Sequence, residues 1–223
     1  MKEIKLGCDV KKDENFTLDE GSFSLNNIFS IPILTLKVKD WDKKGKYLMN
    51  HYLKQSDSSK LYKRSGELLT SYHGIGDMKS IEELNAIAEE QNEFCRNIQD
   101  IFEEELSLIY DKMVKPYDRL SLRELKIGSA WFQNQNNGTS HSIHTHGSIG
   151  LSAVCYVKYD KKYHTPTIFL SPHFNTITNT NMNWSPKECV EGTLVIFPSN
   201  ILHYTRPTIS DISRVILSFN LFC

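Results

Sequence analysis

The chain has 223 residues and a formal net charge of -1 at pH 7. This length suits one well-buried domain, and the near-neutral charge gives no electrostatic reason to bind nucleic acid or an anionic membrane. No stretch approaches the ~18 uncharged apolar residues of a membrane span, and the opening "MKEIKLGCDVKKDENF" lacks the apolar core of a signal peptide. The cysteines are odd in number and none forms C-x-x-C, which argues against a disulfide framework or a zinc ribbon. We therefore expect a cytoplasmic protein with reduced thiols and without nucleic-acid or membrane partners; the sequence does not indicate its oligomeric state.

The N-terminal half predicts one strand and two helices. Residues 1–25 are polar and are expected to form a loose arm, after which the β-rich run "IFSIPILTLKV" at 28–38 predicts a strand. Residues 40–55 predict a short helix with a solvated, lysine-rich face. A longer helix is indicated from Ser80, which begins a capping-box pattern, because apolar residues then recur at helical spacing as far as Ile109. We interpret that apolar stripe as part of the core.

After about residue 125 the sequence changes to short β-rich runs separated by Gly, Asn, Pro and Ser. These runs are "GSAWFQNQ", "GLSAVCYVKYD", "TPTIFLS", "GTLVIFPS" and "SRVILSFNLFC". Several short strands with turn residues between them predict a sandwich, a jelly roll or a barrel. We therefore expect an α+β protein in which residues 26–223 form a single domain, with helical support to about residue 125 packed outside a jelly-roll core at 126–223.

The stretch "SHSIHTHGSIG" contains three histidines, His141, His144 and His146. An H-x-H pair arises by chance roughly 0.3 times in a chain of this composition, so the pair alone is weak evidence. In a strand, residues two apart share a face, so His144 and His146 would point into one space, where a divalent metal satisfies both imidazoles. The alternative is a pair of exposed or hydrogen-bonded loop histidines, and both interpretations stay open at this point. His141 is interpreted as an exposed loop residue.

The second candidate region is "GTLVIFPSNILHYTRP" and the strand after it. His203 follows the apolar run closely, and Arg214 begins the run "RVILSFNLFC" eleven residues later. In that strand Arg214 shares one face with Ile216, Ser218 and Asn220. An arginine and a serine four residues apart on one face form the floor of a carboxylate pocket. The alternative for Arg214 is a surface ion pair, which does not explain a polar face in so apolar a strand.

Together these residues resemble the iron(II)/2-oxoglutarate-dependent oxygenases, in which H-x-(Asp or His), a distal His and an Arg about ten residues later occur among short strands. More narrowly, "WFQNQNNGTSHSIHTHGSIGLSAVCYV" and "EGTLVIFPSNILHYTRPTISDISRVILSFNL" resemble a branch of bacterial and phage oxygenases related to the prolyl hydroxylases. The run "IFSIPILTLKV" is similar to the opening strand of that branch, so the resemblance extends over most of the chain from about residue 28. It implies a double-stranded β-helix, a cupin-like jelly roll, that binds Fe(II) and 2-oxoglutarate inside its open end and uses O2 as cosubstrate.

The resemblance also implies roles for individual residues. His144 and His203 match the two histidine ligands of the metal, and His146 stands where the superfamily usually has Asp or Glu. Arg214 matches the residue that pairs with the distal carboxylate of 2-oxoglutarate. The other matches to cosubstrate-binding positions are Ser218, Tyr156 and, more loosely, Asn134.

His146 departs from the usual pattern of the superfamily. A carboxylate ligand lowers the net charge of the site and favours Fe(II), whereas a third imidazole leaves the full dication and also suits zinc, nickel or copper. No histidine of the chain is followed two residues later by Asp, Glu or Gly. H-x-H is common in the narrower branch, which favours His146 as the third ligand; the alternative is that His146 lies outside the ligand set and water fills the third position.

Three functions remain open on the sequence. The first is an oxygenase that couples 2-oxoglutarate decarboxylation to hydroxylation of an unactivated C–H bond, on a peptidyl residue or, as the second choice, on a free amino acid or small metabolite. The second is a three-histidine cupin-type dioxygenase without 2-oxoglutarate, in which Arg214 has no role unless the substrate is a carboxylate. The third is a non-catalytic metal-binding jelly roll. No catalytic residue is predicted beyond the metal ligands, and Trp131 and Trp184, the latter in the Asn- and Thr-rich loop 175–188, are the predicted substrate contacts.

Overall fold

The computed structural model describes residues 21–28, 31–57, 62–63, 69–70, 80–116, 124–175 and 180–222. Its strands are β1 (Phe23–Ile28), β2 (Ile31–Lys37), β3 (Tyr62–Lys63), β4 (Leu69–Thr70), β5 (Lys126–Gln135), β6 (His141–His144), β7 (Leu151–Lys158), β8 (Ile168–Asn175), β9 (Thr180–Trp184), β10 (Thr193–Pro198), β11 (His203–Thr205) and β12 (Arg214–Phe222). Its helices are α1 (Trp41–Asp57), α2 (Ile81–Ile101) and α3 (Glu103–Ile109), and one π-helical turn, Tyr110–Val114, continues α3. The predicted arm at 1–25 lies outside the described residues as far as residue 20, and its last residues belong to β1.

The strands form two antiparallel sheets. The larger has eight strands in the order β1-β2-β10-β7-β12-β5-β4-β3, and the smaller has four in the order β6-β11-β8-β9. From β5 onward, successive strands alternate between the two sheets except at the β8–β9 hairpin. This interleaved order is that of a double-stranded β-helix, so the predicted α+β jelly roll is confirmed.

The larger sheet has one face toward the helices and one toward the smaller sheet. On the first face, Leu217 and Phe219 of β12 belong to a buried apolar cluster with Phe94, Ile98 and Phe102 of the helical segment. On the other face, alternate residues of the same strands form a second buried cluster with the smaller sheet. Its members include Val154, Tyr156, Val195, Phe197 and Ile216 from the larger sheet and Phe169 from β8. Period-two alternation along each strand produces this division.

The predicted helix from Ser80 to Ile109 is broken at Phe102. Helix α2 ends at Ile101 and α3 begins at Glu103, and Phe102 between them has φ -102° and ψ 18°. The Phe102 side chain is fully buried, and its ring centroid lies 5.6 Å from that of Phe219 in β12. Burial of such a side chain contributes about 1.5–3 kcal/mol, so tertiary packing at the break outweighs the loss of regular helix.

The N-terminal part of helix α1 contacts two other parts of the molecule, the turn before β10 and helix α3. A Cβ atom built on Gly192, which has φ +79°, would lie 2.6 Å from ring carbons of Trp41, so only glycine allows this close approach before β10. The buried carboxylate of Glu105 in α3 accepts hydrogen bonds from Lys44 Nζ at 2.9 and 3.0 Å and from the Lys39 backbone N–H at 3.0 Å. A buried charge needs such partners, and here they fix α1 against α3.

Six strands coincide with predicted β-rich runs: β2 lies in the run at 28–38, and β5, β7, β8, β10 and β12 lie in the runs after residue 125. The short polar strand β9 was not predicted, because its sequence "TNMNW" has no alternation of apolar and polar residues and its structure depends on pairing with β8.

Among the described residues, no helix has the length and apolar character needed to cross a membrane. The described cysteines, Cys95, Cys155 and Cys189, are free and buried.

Candidate metal centre and carboxylate pocket

Three histidines meet where β6 and β11 pair. His144 lies directly opposite His203 in the β6–β11 register, with ring centroids 4.2 Å apart. His146 joins them at centroid distances of 5.3 Å from His144 and 4.8 Å from His203. One ligand atom from each residue lies within 4.8 Å of the other two. The structure thus brings together the three residues singled out in the sequence.

The route by which His146 reaches this cluster differs from the prediction. Strand β6 ends at His144, so His146 lies in the bend beyond it and not two residues along a continuous strand. Its backbone N–H donates to the carbonyl oxygen of Ser199 at 2.8 Å. The convergence of His144 and His146 therefore depends on this tertiary contact. The prediction that both side chains point to one face of a continuous strand is wrong, although the two residues do meet.

Each of the three rings has its Nδ1 atom at an oxygen acceptor. The acceptors are the carbonyl of Ser142 at 2.7 Å from His144, the carbonyl of Ile201 at 2.9 Å from His203, and Oδ1 of Asn220 at 3.2 Å from His146. Because these oxygens only accept, the hydrogen of each neutral ring is on Nδ1 and the lone pair is on Nε2. The three Nε2 atoms can therefore coordinate a divalent metal through their lone pairs.

Burial keeps these imidazoles neutral. It lowers the pKa of His144, and burial together with the neighbouring His144 lowers the pKa of His146 to about 4. Burial also places the pKa of His203 well below its usual value, with the other two histidines adding to the effect. Since a metal binds only the unprotonated ring, the cluster is ready for a divalent cation at neutral pH. The donor set fits such an ion.

His141 was predicted to be an exposed loop residue, and the structure differs. It begins β6, is half-buried, and has its ring centroid 3.8 Å from that of His144. Its backbone N–H donates to Thr205 Oγ1 at 3.0 Å. His141 therefore borders the cluster without sharing the mutual geometry of its three members.

Arg214 is buried and only partly hydrogen-bonded. It is 1% exposed, and its Nη1 donates to Oε1 of Gln135 at 2.6 Å. Its Nε and Nη2 atoms have no hydrogen-bond partner among the described residues. The guanidinium also lies 5.2 Å above the ring of Tyr156. A buried cation with open donors is costly unless an anion completes it, so this position fits a carboxylate. The alternative of a surface ion pair is wrong, because the side chain is not at the surface.

A small pocket connects the histidine cluster with polar side chains on β12 and β5. The three clustered histidines line it, and so does His141. The other polar residues of its lining are Gln133, Thr167, Thr205 and Ser218. Ser218 lies on the same strand face as Arg214, two residues beyond Ile216. One cavity therefore has imidazole nitrogens at one side and hydroxyl and amide groups at the other.

Tyr156 lies beside Arg214, as its predicted role requires. Its hydroxyl donates to Thr167 Oγ1 at 3.1 Å and accepts from the Thr167 backbone N–H at 2.8 Å. Burial raises the pKa of Tyr156, so the phenol stays protonated and able to donate. Thr167 lines the pocket, whereas Tyr156 lies behind it and is not itself among the lining residues.

Asn134 does not reach the pocket. In the β5–β12 register it lies opposite Val215, on the helix-facing side of the sheet, and it hydrogen-bonds the side chain of Tyr52 in α1. Its neighbour Gln133 lies in the pocket instead. Adjacent residues of a strand point to opposite faces, so Gln133 lies on the pocket side and Asn134 does not.

Gln135 is a site residue that the sequence reasoning missed. Its Oε1 accepts from Arg214, and its Nε2 donates to Thr205 Oγ1 at 2.6 Å. It thereby links the guanidinium to strand β11, which carries His203. The alternation of amides in "WFQNQ" was the available signal, since it places Gln133 and Gln135 on the face of Trp131.

The two predicted substrate contacts are largely packed against other rings. Trp131 is buried, with its centroid 5.2 Å from that of His146 in an edge-to-face arrangement. Trp184 was expected to be exposed in a loop, but it lies half-buried in β9, with its centroid 5.8 Å from Phe169. Neither ring is among the residues that line the pocket.

The model of a family described as "Putative 2OG-Fe(II) oxygenase" matches residues 129–220, which run from β5 to β12. This match confirms the resemblance inferred from the sequence over the barrel strands. No curated protein matches the chain.

Among solved structures, the chain is similar to a prolyl-4-hydroxylase of Pseudomonas putida, with 14% identity, 92% of this chain and 94% of that chain covered, and a TM-score of 0.49. It is also similar to a viral collagen prolyl hydroxylase of Paramecium Bursaria Chlorella virus-1 in its 2OG complex, with 13% identity, 84% and 94% covered, and a TM-score of 0.49. A third is a Trichoplax adhaerens prolyl hydroxylase in complex with a hypoxia inducible factor peptide fragment, with 12% identity, 91% and 84% covered, and a TM-score of 0.46.

Proposed function

We propose that the protein is a non-haem iron oxygenase that couples 2-oxoglutarate decarboxylation to hydroxylation of an unactivated C–H bond. The match of residues 129–220 to the model of a 2OG-Fe(II) oxygenase family supports this proposal. The observation that carries the assignment is the buried, incompletely paired guanidinium of Arg214 on the strand face of Ser218. Ser218 lines the same pocket as three neutral imidazoles. The family implies Fe(II) and 2-oxoglutarate as its cofactors.

We assign the metal to Nε2 of His144, His146 and His203. The assignment is supported by the mutual distances of these residues and by the three Nδ1 hydrogen bonds, which hold each ring with its lone pair available. Fe(II) bound there supplies the oxidative chemistry. The protein contributes by fixing the tautomers and by keeping the imidazoles neutral.

We assign the distal carboxylate of 2-oxoglutarate to Arg214, with the hydroxyls of Ser218 and Tyr156 beside it. Open donors at Nε and Nη2 support this assignment, because a carboxylate pairs with a guanidinium through two parallel hydrogen bonds. Gln135 occupies Nη1 and so limits how the guanidinium can turn. The buried apolar neighbours Ile216 and Val154 exclude water, which strengthens the ion pair.

The three-histidine dioxygenase without 2-oxoglutarate is the second candidate. The histidine cluster suits this dioxygenase equally well, but the buried guanidinium of Arg214 then has no function unless the substrate is itself a carboxylate.

For the substrate of the proposed hydroxylase, a peptidyl residue is the first choice and a free amino acid or small metabolite the second. Mass spectrometry of a lysate treated with the enzyme, Fe(II) and 2-oxoglutarate would identify it as a product heavier by one oxygen atom.

The direct test is 2-oxoglutarate binding by calorimetry to the metal-loaded protein, followed by oxygen consumption. We expect binding only when the metal is present, and oxygen consumption that depends on added 2-oxoglutarate with succinate as a product. The matched control is succinate in place of 2-oxoglutarate, which should not support oxygen consumption. A metal-loaded protein that does not bind 2-oxoglutarate would contradict the proposal and favour the three-histidine dioxygenase.

A further inference from the structure

We infer that Asn220 is a positioning residue that makes His146 a metal ligand, an inference that rests on the proposed function. Asn220 is half-buried near the end of β12, on the pocket-facing side with Arg214 and Ser218. Its Oδ1 accepts from Nδ1 of His146 at 3.2 Å. His146 is the member of the cluster that lies outside any strand, so its ring has no strand partner to hold it.

Asn220 is itself held on both sides. Its Oδ1 also accepts from Ser152 Oγ at 2.8 Å, and its Nδ2 donates to Ser129 Oγ at 3.0 Å. These partners are its direct neighbours in the sheet, because Asn220 pairs with Ser129 of β5 and with Ser152 of β7. With Nδ2 engaged by Ser129, Oδ1 faces His146. The register of three adjacent strands therefore holds the Asn220 amide between these two hydroxyls and beside the His146 ring.

The polar groups continue behind Asn220 to the segment that positions the His146 backbone. Ser152 Oγ lies 2.8 Å from Ser199 Oγ, and the Ser199 carbonyl accepts from the His146 N–H. Ser152 and Ser199 are almost completely buried. Polar side chains in a sheet interior cost stability unless they are hydrogen-bonded. The side chains of Ser129, Ser152, Ser199 and Asn220 thus form one hydrogen-bonded chain. Its residues contact His146 twice, at the ring Nδ1 and at the backbone N–H.

The chemical consequence concerns the charge of the site. An amide oxygen holds the Nδ1–H tautomer of His146 and directs its Nε2 into the cluster, as a carboxylate partner would, but without adding negative charge. The position at which the superfamily usually has an acidic ligand is therefore occupied by a neutral imidazole with a neutral support. The geometry favours His146 as a ligand over water in the third position.

The test measures Co(II) affinity of the purified full-length protein by calorimetry. Loss of the hydrogen-bond partner at the non-ligating nitrogen of a metal-binding histidine typically lowers metal affinity about 10–100-fold. We expect a loss of this size for Asn220→Leu. Asn220→Asp keeps an acceptor for His146 and should retain the affinity. The matched control is Asn134→Leu, the same exchange at a buried asparagine on the other side of the sheet, which should leave the affinity unchanged.

A double-mutant cycle separates positioning from general damage. If Asn220 acts through His146, Asn220→Leu should have little further effect in a His146→Asp background. An equal loss in both backgrounds, or an Asn220→Leu affinity equal to wild type, would overturn the inference.

A measurement without any variant keeps the test decisive if Asn220→Leu fails to fold. In ¹⁵N-edited spectra of the metal-free protein, we expect His146 as the Nδ1–H tautomer, and an Nε2–H tautomer would overturn the inference. Failure of the wild-type protein to bind Co(II) at all would instead count against the proposed function, so the two failures are distinguishable.

Discussion

The two faces of strand β12 differ in what their side chains require. The helix-facing residues Val215, Leu217, Phe219 and Leu221 are completely buried among other apolar side chains. On the opposite face, Arg214 and Asn220 are hydrogen-bonded to neighbouring strands and Ser218 lines the pocket. Apolar packing tolerates exchange at similar volume, whereas a buried polar group requires a partner of defined geometry. One strand therefore supplies stability from one side and chemistry from the other.

The largest effect is expected at the cluster on the pocket side. His203→Ala removes the buried imidazole that lies opposite His144, and we expect it to abolish metal binding. Metal content after purification, measured by elemental analysis, checks this. His173→Ala is the matched control, since His173 is exposed on β8. Unchanged metal content in His203→Ala would show that the ligand assignment is wrong.

On the helix-facing side, Phe219→Ala should reduce stability without changing the site. Phe219 is fully buried against Phe102, and truncation of a buried phenylalanine to alanine costs about 3–5 kcal/mol. Urea unfolding measures the loss. Metal and 2-oxoglutarate affinities of the folded variant should equal those of wild type, and a loss of affinity at retained stability would break the division between the two faces.

Arg214→Ala tests the same strand from the pocket side. Removal of one partner of a buried charge pair costs about 3–5 kcal/mol, so 2-oxoglutarate binding should weaken by about two or more orders of magnitude while the metal stays bound. Calorimetry on the metal-loaded protein measures this, and the exposed Arg206→Ala serves as the control. Equal affinities in wild type and Arg214→Ala would reject the 2-oxoglutarate assignment.

A smaller effect is expected for His146→Asp, which restores the carboxylate common in the superfamily. The variant should still bind a divalent metal, with an altered affinity, because one ligand exchanges an imidazole nitrogen for a carboxylate oxygen. The visible absorption of the Co(II)-loaded protein should shift. An unchanged spectrum would place His146 outside the ligand set.

Period-two alternation made the pocket-facing side of β12 predictable. Arg214 and Ser218 fall on one face from the sequence alone, and the structure agrees. Asn134 was chosen from the family resemblance, and the structure has it on the helix-facing side, opposite Val215. The alternation rule failed for His146, whose position depends on a hydrogen bond to Ser199, distant in the sequence.

Residues that depend on the register between strands were not accessible from the sequence. Asn220, Ser129 and Ser152 are far apart along the chain and become neighbours only when β5, β12 and β7 pair in one register. For Gln135 the alternation in "WFQNQ" indicates the face, but its contact with Arg214 follows from their direct pairing across β5 and β12. Strand β9 depends in the same way on its partner β8.

The edge-to-face contact of Trp131 with His146 gives the protein its own optical reporter. If His146 binds the metal as proposed, an indole 5.2 Å from its ring is close enough for a bound paramagnetic ion such as Co(II) to quench the indole fluorescence. The other two tryptophans are Trp41, packed on Gly192, and Trp184, packed on Phe169. With Trp41 and Trp184 replaced by phenylalanine, emission from the remaining indole should fall as Co(II) is titrated in. Occupancy could then be followed continuously in the unlabelled protein.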